Sequence, residues 1–248
     1  MCEIPCSSCG VASSAICMDK AYVKDILKAN KIESPDYVYF DNSVEVKLPN
    51  ELAFPVIVKP ANLGSSIGIS ICKDDKEFQA AVELAFEFDR KVLVEKLVEN
   101  MREFNCACFA YKNQNFTSCV NEVKNDGTIY SFEDKYLTAK SKNLEVDKNL
   151  SKKIKHLTEK IYALFDCQGV VRVDFLYDTI KKTLYVNEIN TIPGSLALFL
   201  FKGVPAQDII TAIIEQTKQN YIEEQKLVKT FDSEAIEIYS RFKPTSKK

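Results

Sequence analysis

Two short stretches near the C-terminal end of the chain carry side chains that are suited to chemistry. Arg172 and Asp174 alternate in "VVRVDFL", and Glu188 and Asn190 alternate in "YVNEIN". Because alternate residues of a strand share one face, two neighbouring strands would gather an arginine, two carboxylates and an amide at one spot. Carboxylate and amide oxygens suit Mg2+, and a guanidinium suits an oxyanion or a transferring phosphoryl group. The alternative is a salt-bridged solvent face of a two-stranded ribbon.

A lysine followed by a glycine–serine loop forms the second candidate, in "VIVKPANLGSSIGIS". Lys59 ends a short apolar strand, where a buried charge is costly unless it meets an anion. The loop Gly64-Ser65-Ser66 follows, and Gly68 comes after it. A loop of this composition can bring backbone N–H groups and hydroxyls onto phosphate oxygens. It is not a Walker A loop, because no Gly-Lys-Ser/Thr follows. The alternative is a snorkelling lysine before an ordinary hairpin turn.

A strand that runs into a charged segment, "VLVEKLVENMREF", is the third candidate. Its end, at Glu95, Lys96 and Val98, has the character of a hinge between two lobes. In that case its backbone would pair with a purine edge, and a nearby acid would hold ribose hydroxyls. The alternative is a strand that simply runs out into a loop.

The N-terminal cysteines suggest a different chemistry. Cys2, Cys6 and Cys9 have the C-x3-C-x2-C spacing of the iron–sulfur ligands in radical-SAM enzymes. That class also needs a strand before the motif and a (β/α) barrel after it, and the sequence indicates neither. The nine cysteines are odd in number and the chain is too long to need disulfide staples, so we expect reduced thiols in a cytosolic protein. Cys106 and Cys108 alternate on a predicted strand and are expected in the core.

Composition argues against several classes of function. The chain has 248 residues, of which 46% are hydrophobic, and is long enough for one large domain or two small ones. Lysine and arginine are scattered and the net charge is −2, which argues against a nucleic-acid or membrane partner. No apolar run is long enough to span a bilayer, and no signal peptide is indicated. The single histidine, His156, excludes a His-based metal site and argues against Ser-His or Cys-His catalysis.

The elements predicted from periodicity form two successive units. The first, over about residues 18–99, has helices in "MDKAYVKDILKANKIESP" and "DDKEFQAAVELAFEFD" and strands at Val56–Val58, in "SSIGISIC" and in "KVLVEKLV". The second has a β-hairpin that turns near Asn113–Asn115, a helix in "SKKIKHLTEKIYALF", strands in "GVVRVDFLYD" and "KKTLYVNEIN", and a helix opened by Pro205. A charged tail follows over residues 221–248.

The candidate groups occur in the order phosphate lysine, glycine loop, hinge, arginine and paired metal ligands. This order resembles the ATP-grasp superfamily, and within it the D-alanine–D-alanine ligase family. The stretches "VIVKPANLGSSIGIS", "EDKYL", "GVVRVDFLYD" and "NEINTIPGS" are similar to that family's blocks, and the resemblance covers roughly residues 4–217. It implies an α+β ATP-grasp fold in which two α/β lobes, residues 18–99 and 100–220, hold nucleotide between them.

The resemblance also implies residue roles. The nucleotide contacts would be Lys20 and Lys59 on ATP phosphates, Ser65 and Ser66 in the loop that closes over the β- and γ-phosphates, Glu95, Lys96 and Val98 in the adenine pocket, and Glu103 on the ribose. Two Mg2+ ions, with Mn2+ as an alternative, would be held by Asp174, Glu188 and Asn190. The residues of the reaction itself would be Arg172 on the oxyanion of the tetrahedral intermediate, Lys135 and Tyr136 closing over the site with Ser65, and Gly194 and Ser195 beside the second substrate.

The implied reaction is the ligation of two D-alanines through an acylphosphate, for peptidoglycan precursor synthesis in a bacterial cytoplasm, by an enzyme that is often a homodimer. Residues 1–17 resemble the end of an N-terminal Rossmann-like domain whose remainder is absent. After Gly194 the chain reads "SLALFLF" where many members have Thr/Ser-His-Ser, so the acceptor stays open between D-alanine, another D-amino acid and a D-hydroxy acid. Another ATP-grasp carboxylate–amine ligase, and a truncated inactive nucleotide-binding fragment, are the alternatives.

Overall fold

The computed structural model describes residues 4–42, 46–123 and 146–228. In these residues the chain forms two antiparallel sheets with helices packed on them, which agrees with the α+β expectation. The helices are α1 (Val11–Met18), α2 (Lys20–Ala29), α3 (Asp75–Phe88), α4 (Lys148–Leu164) and α5 (Ala206–Gln225). The strands are β1 (Tyr37–Asp41), β2 (Val56–Pro60), β3 (Ser70–Cys72), β4 (Lys91–Lys96), β5 (Met101–Tyr111), β6 (Gln114–Thr117), β7 (Asn121–Val123), β8 (Val171–Asp178) and β9 (Thr183–Asn190).

The first sheet has the strand order β1-β4-β2-β3, and every neighbouring pair is antiparallel. Helix α3 is amphipathic, and its Phe78 and Val82 are buried against Val56, Val58 and Val94 of the sheet. The sequence pattern did not predict β1, which lies at the sheet edge and pairs with β4. Residues 37–40 are a run of aromatic and apolar side chains without polar alternation, so the period-2 pattern does not mark this strand.

The second sheet has the strand order β6-β5-β8-β9, and the short β7 also pairs with β5. One face of this sheet is apolar and packs against α4, where Phe104, Cys106 and Cys108 of β5 meet Ile154 and Ile161. Cys106 and Cys108 are fully buried on this face, as predicted. The opposite face is apolar beneath α5 and polar in its middle, and that polar part belongs to the candidate site.

The turns and helix ends agree closely with the sequence patterns. The β5–β6 hairpin turns at Lys112 and Asn113, within about one residue of the predicted turn, and both residues have positive φ. A two-residue turn of this kind matches the twist of the flanking strands even without an Asn-Gly pair. Helix α5 begins directly after Pro205, as predicted, and runs on to Gln225. Within the residues that the structure describes, no helix has the length and apolar content needed to cross a bilayer.

Helices α1 and α2 precede the first sheet in the sequence but pack on the second. Cys17 of α1 and Val23 and Leu27 of α2 are buried in the same core as Ile161 of α4. The predicted domain boundaries at residues 17, 99 and 220 remain predictions. Helix α2, which opens the unit predicted to start at residue 18, packs in the core of the second sheet.

Asp19 fixes the start of α2. Asp19 is the N-cap, where its Oδ1 accepts hydrogen bonds from the backbone N–H groups of Ala21 and Tyr22. Its Oδ2 lies 2.6 Å from Nζ of Lys91 on β4. The first residue of the helix, Lys20, is therefore held between the two sheets.

Candidate active site

The polar face of the second sheet carries the arginine–carboxylate group that the sequence predicted. Nε and Nη2 of Arg172 donate to Oδ1 and Oδ2 of Asp174, each at 2.7 Å. Nδ2 of Asn190 donates to Oδ2 of Asp174 at 3.0 Å. The β8–β9 register sets Asp174 opposite Glu188 and Arg172 opposite Asn190. The predicted shared face of these four side chains is confirmed.

The charges on this face keep Arg172 protonated and oriented. Burial lowers the pKa of Arg172, but Asp174, and then Glu188 and Glu103, outweigh burial and hold the pKa above its usual value. Glu103 of β5 therefore belongs to the same electrostatic environment. Sequence reasoning missed Asn105, which the β5–β8 register sets opposite Asp174. The signal was present, because Asn105 alternates with Glu103 in "EFNCACF".

Buried lysines form the second half of the site. Nζ of Lys59 lies 2.8 Å from Oε1 of Glu95, and Nζ of Lys24 lies 3.1 Å from the same oxygen. All three side chains are almost fully buried. Lys24 was missed by sequence reasoning, although it stands one helical turn after Lys20 and so shares its face of α2. Nζ of Lys20 donates to the backbone oxygen of Leu63, at the entrance of the glycine–serine loop.

Burial and mutual repulsion act on these lysines. Burial lowers the pKa of Lys24 to about 8, although Glu95 opposes the shift. Burial also lowers the pKa of Lys20, with Glu188 the largest opposing charge. Burial raises the pKa of Glu95, but Lys24 and Lys59 outweigh it and leave the pKa below its usual value. The influence of Glu188 on Lys20 means that the lysine group and the polar face of the second sheet are electrostatic neighbours.

The glycine–serine loop has a special backbone. Ser65 and Ser66 have φ values of 58° and 59°, in the left-handed region that residues other than glycine seldom adopt. Gly68, with φ +69°, closes the loop, and a Cβ there would lie 2.9 Å from Cγ of Pro60. The end of the loop is thereby fixed directly over the strand that carries Lys59.

The predicted adenine-pocket residues separate into two groups. The carboxylate of Glu95 points toward the lysines, whereas Lys96 and Val98 line a cavity of about 210 Å³ near Asp178 and Tyr185. The structure therefore brings Glu95 together with Lys24 and Lys59 rather than with Lys96 and Val98. Successive residues of a strand point to opposite faces, which accounts for the split between Glu95 and Lys96.

The segment after β9 carries the predicted residues of the second substrate. Gly194 begins a short turn over Gly194–Leu200, in which Ser195, Leu196 and Ala197 have φ values of 51°, 49° and 50°. Consecutive left-handed residues other than glycine cost of order 1–2 kcal/mol each and persist only where the surroundings fix them. Ala197 and Leu200 of the turn are buried in one core with Ala107 and Phe109 of β5, and this packing supplies that support. The exposed Ser195 is thus held directly after the strand of Glu188 and Asn190.

Two predicted site residues, Lys135 and Tyr136, lie outside the described residues, as does Cys2. Of the other N-terminal cysteines, Cys6 is exposed and Cys9 is buried. In the part of the chain that the structure describes, no three histidine, cysteine, aspartate or glutamate side chains are grouped to hold a metal ion. The oxygen groups that the polar face offers to a cation are the carboxylates of Asp174 and Glu188 and the amide of Asn190.

Comparison with known proteins identifies relatives of this chain. The family model described as "D-ala D-ala ligase C-terminus" matches residues 26–215. The D-alanine–D-alanine ligase of Thermosipho melanesiensis is 38% identical over 252 residues, covering 96% of this chain and 68% of the relative. The structure of the D-alanine–D-alanine ligase from Coxiella burnetii matches with a TM-score of 0.79 at 25% identity, covering 96% of this chain and 66% of that one. The Bacillus anthracis ligase complexed with ATP matches with a TM-score of 0.73 at 25% identity, covering 89% and 72%.

The fold and the candidate site define the class of protein to which the chain belongs. Two sheets, one with buried lysines and a glycine–serine loop and the other with an arginine–carboxylate–amide face, form the ATP-grasp fold of these ligase structures. The chain belongs to the D-alanine–D-alanine ligase family, as the resemblance predicted. It spans about two thirds of the length of the relatives that it matches.

Proposed function

We propose that the chain supplies the ATP-binding and catalytic part of an enzyme that ligates two D-alanines for peptidoglycan precursors. The observation that carries the proposal is a cluster of positive charge: the ammonium groups of Lys24 and Lys59 share one carboxylate oxygen of Glu95, and Lys20 lies within electrostatic reach of Lys59. Because buried charge without a partner is costly, this group has a strong preference for an added anion. The polyphosphate of ATP is such an anion. The glycine–serine loop is close to these lysines, since Nζ of Lys20 donates to the backbone oxygen of Leu63 at its entrance.

The polar face of the second sheet fits a hard cation. Asp174, Glu188 and Asn190 offer oxygen ligands, which are the ligands that Mg2+ prefers, and we propose that they hold two Mg2+ ions, with Mn2+ as a substitute. Asp174 would be shared with Arg172, its partner in the present structure. When bound, such a cation neutralises phosphate charge and polarises the phosphoryl group.

The reaction uses position and charge rather than a covalent intermediate on the protein. A carboxylate oxygen of the first D-alanine attacks the γ-phosphorus of ATP, the bond to the β-phosphate oxygen breaks, and ADP leaves. The amine of the second D-alanine then attacks the acyl carbon, phosphate leaves, and the amine loses a proton. Arg172 is suited to the developing oxyanion, because it is partly buried, charged and held by two hydrogen bonds to Asp174.

The remaining roles extend the proposal to substrate, closure and assembly. Ser195, with Gly194 before it, would face the acceptor amino acid, because the strained turn follows directly after the strand that carries Glu188 and Asn190. Lys135 and Tyr136 would close over the reacting groups, and Ser65 over the phosphates. The site of the first D-alanine would include residues that the relatives carry outside the matched two thirds. The enzyme would act as a homodimer in the cytoplasm.

The test is phosphate release from ATP and Mg2+ by the purified chain, with and without D-alanine, with dipeptide detected by mass in the same sample. D-alanine-dependent release together with dipeptide is expected if the chain holds the complete machinery. Release or dipeptide that is unchanged by Arg172→Lys would contradict the role of Arg172. The matched control is Arg102→Lys, since Arg102 makes an equally short pair with Glu122 on the other face of the same sheet.

The alternative, a fragment that only binds nucleotide, predicts a different result in the same assay. It would bind ATP, measured by calorimetry, without D-alanine-dependent release. Another carboxylate–amine ligase would release phosphate with a different amino acid or hydroxy acid and not with D-alanine. A panel of D-amino acids and D-hydroxy acids separates these outcomes.

A further inference from the structure

Three buried thiols, those of Cys9, Cys17 and Cys167, belong to the core on the α4 side of the second sheet. Cys167 lies in the segment that follows α4, and Sγ of Cys9 contacts the backbone of the next residue, Gln168. The three cysteines come from separate parts of the sequence, since Cys9 precedes α1, Cys17 lies within it and Cys167 comes near the end of the chain. The ligase chemistry proposed above makes no use of them.

The backbone holds Cys9 and Cys167 side by side. Sγ of Cys9 lies 3.3 Å from both the backbone N and the backbone O of Gln168. Gly169 has φ +66°, and a Cβ at this position would lie 2.1 Å from the backbone O of Ser7. Only glycine permits so close an approach, so the two segments are in direct backbone contact. The proximity of the two thiols therefore follows from the fold and not from a chance side-chain rotamer.

A cavity reaches Cys167 and Gln168, the residue whose backbone contacts Sγ of Cys9. It has a volume of about 220 Å³ and is lined by Cys167, Tyr162 and the amide side chains of Gln216 and Asn220, among others. The cavity lies between the end of α4 and α5, two helices that pack on opposite faces of the second sheet. Its polar lining suits a water-like molecule such as hydrogen peroxide.

The two thiols differ in acidity. The hydrogen bond from Cys167 is the largest cause that lowers the pKa of Cys9 to about 7, with burial opposing it and the backbone N–H of Gln168 adding to it. Hydrogen bonds with Cys17 and Cys9 raise the pKa of Cys167. Because the thiolate is the reactive form of cysteine, Cys9 is the more nucleophilic partner and Cys167 keeps its proton.

We propose that Cys9 and Cys167 form an oxidisable dithiol that a peroxide converts into a disulfide. The thiolate of Cys9 attacks one peroxide oxygen, the O–O bond breaks and hydroxide leaves, which gives a sulfenic acid at Cys9. The sulfur of Cys167 then attacks the sulfur of Cys9, the S–O bond breaks, and water leaves with the proton of Cys167. Two thiols lose two electrons in total, and one peroxide becomes two waters.

The disulfide would join the N-terminal segment to the segment after α4. Residues 11–29 continue from Cys9 as α1 and α2, so the bond ties the helix that begins at Lys20 to the second sheet. A cross-link between residues so distant in sequence restricts the unfolded chain strongly. This inference is independent of the proposed ligase activity, because it concerns thiols on the opposite face of the sheet.

The test is peptide mapping of the full reduced chain after treatment with hydrogen peroxide, alkylation and non-reducing trypsin digestion. A peptide pair that joins residues 1–20 to residues 161–172 is expected. It should be lost in Cys9→Ser and in Cys167→Ser and retained in Cys17→Ser. The matched control is Cys72→Ser, which removes a buried thiol of the first sheet and should leave the pair unchanged.

Three results would overturn the proposal. The first is the same yield of the peptide pair in folded chain and in urea-unfolded chain, because pairing would then be random. The second is a disulfide confined to residues 1–20, such as Cys6 with Cys9. The third is loss of the pair in Cys17→Ser with retention in Cys9→Ser. The comparison of folded with unfolded chain uses no variant and decides the question even if a substitution prevents folding.

Discussion

Nζ of Lys59 lies 2.8 Å from Oε1 of Glu95, in a position that solvent hardly reaches. A lysine held in this way can turn to a phosphate only if a second cation remains paired with the carboxylate of Glu95. Lys24 supplies that cation, because its Nζ lies 3.1 Å from the same oxygen. We therefore propose that Lys24 is a positioning residue for the nucleotide site, because it keeps the carboxylate of Glu95 paired.

Replacement of Lys24 should weaken the binding of phosphate-bearing nucleotides selectively. In Lys24→Met the group keeps one fewer positive charge and Lys59 becomes the remaining close partner of Glu95. We expect a loss of roughly tenfold or more in ATP and ADP affinity, about 1.4 kcal/mol, and a smaller loss for adenosine. Calorimetric titration of the three ligands measures this. Lys28→Met, an exposed lysine one turn further along α2, is the control.

An equal loss for adenosine would mean that Lys24 only maintains the local fold. Unchanged ATP affinity in Lys24→Met would contradict the role of Lys24 altogether.

The affinity for ATP should depend on pH through Lys24. Burial lowers the pKa of Lys24 to about 8, so its ammonium is charged below that pH and loses its proton above it. ATP affinity should therefore fall as the pH rises from about 7 to about 9. Lys24→Arg keeps its charge over this range, because a guanidinium does not titrate there, and should show a flatter profile. Parallel profiles for the two proteins would rule out Lys24 as the titrating group.

The polar face of the second sheet could be predicted from the sequence, whereas much of the lysine group could not. Strand alternation is a local property, so Arg172 with Asp174 and Glu188 with Asn190 could be assigned to one face without knowledge of the fold. Lys24 is different, because its burial depends on how α2 packs between the two sheets. The same holds for Asn105, whose partner Asp174 is set by the register of distant strands.

Asp19 should contribute more to stability than an ordinary helix cap. Asp19→Ala removes both the N-cap of α2 and the buried partner of Lys91. We expect the free energy of unfolding to fall by about 2–4 kcal/mol. Asp74→Ala is the matched control, since Asp74 caps α3 at the surface and its loss should cost about 1 kcal/mol. Urea unfolding measures both, and equal losses would contradict the part assigned to the Asp19–Lys91 pair.

Substitution by glycine should lower the free energy of unfolding less in the left-handed turn after β9 than in a helix. Leu196 has φ 49° and is 39% exposed, and Leu84 in α3 is 41% exposed. Leu196→Gly relieves backbone strain, so the free energy of unfolding should change by less than about 1 kcal/mol. Leu84→Gly should lower it by about 1 kcal/mol or more, because glycine is unfavourable within a helix. A larger loss at Leu196 than at Leu84 would show that the turn stores no strain.

If the lysine group and the polar face of the second sheet bind ATP and Mg2+ together, the affinity for ATP should depend on Mg2+ through Glu188. Calorimetry measures this affinity with and without Mg2+ in the unmodified chain, in Glu188→Gln and in the control Glu122→Gln. We expect Mg2+ to strengthen ATP binding in the unmodified chain and in Glu122→Gln, and to lose this effect in Glu188→Gln while the fold is retained. The same gain from Mg2+ in Glu188→Gln, or no ATP binding by the unmodified chain, would contradict the account.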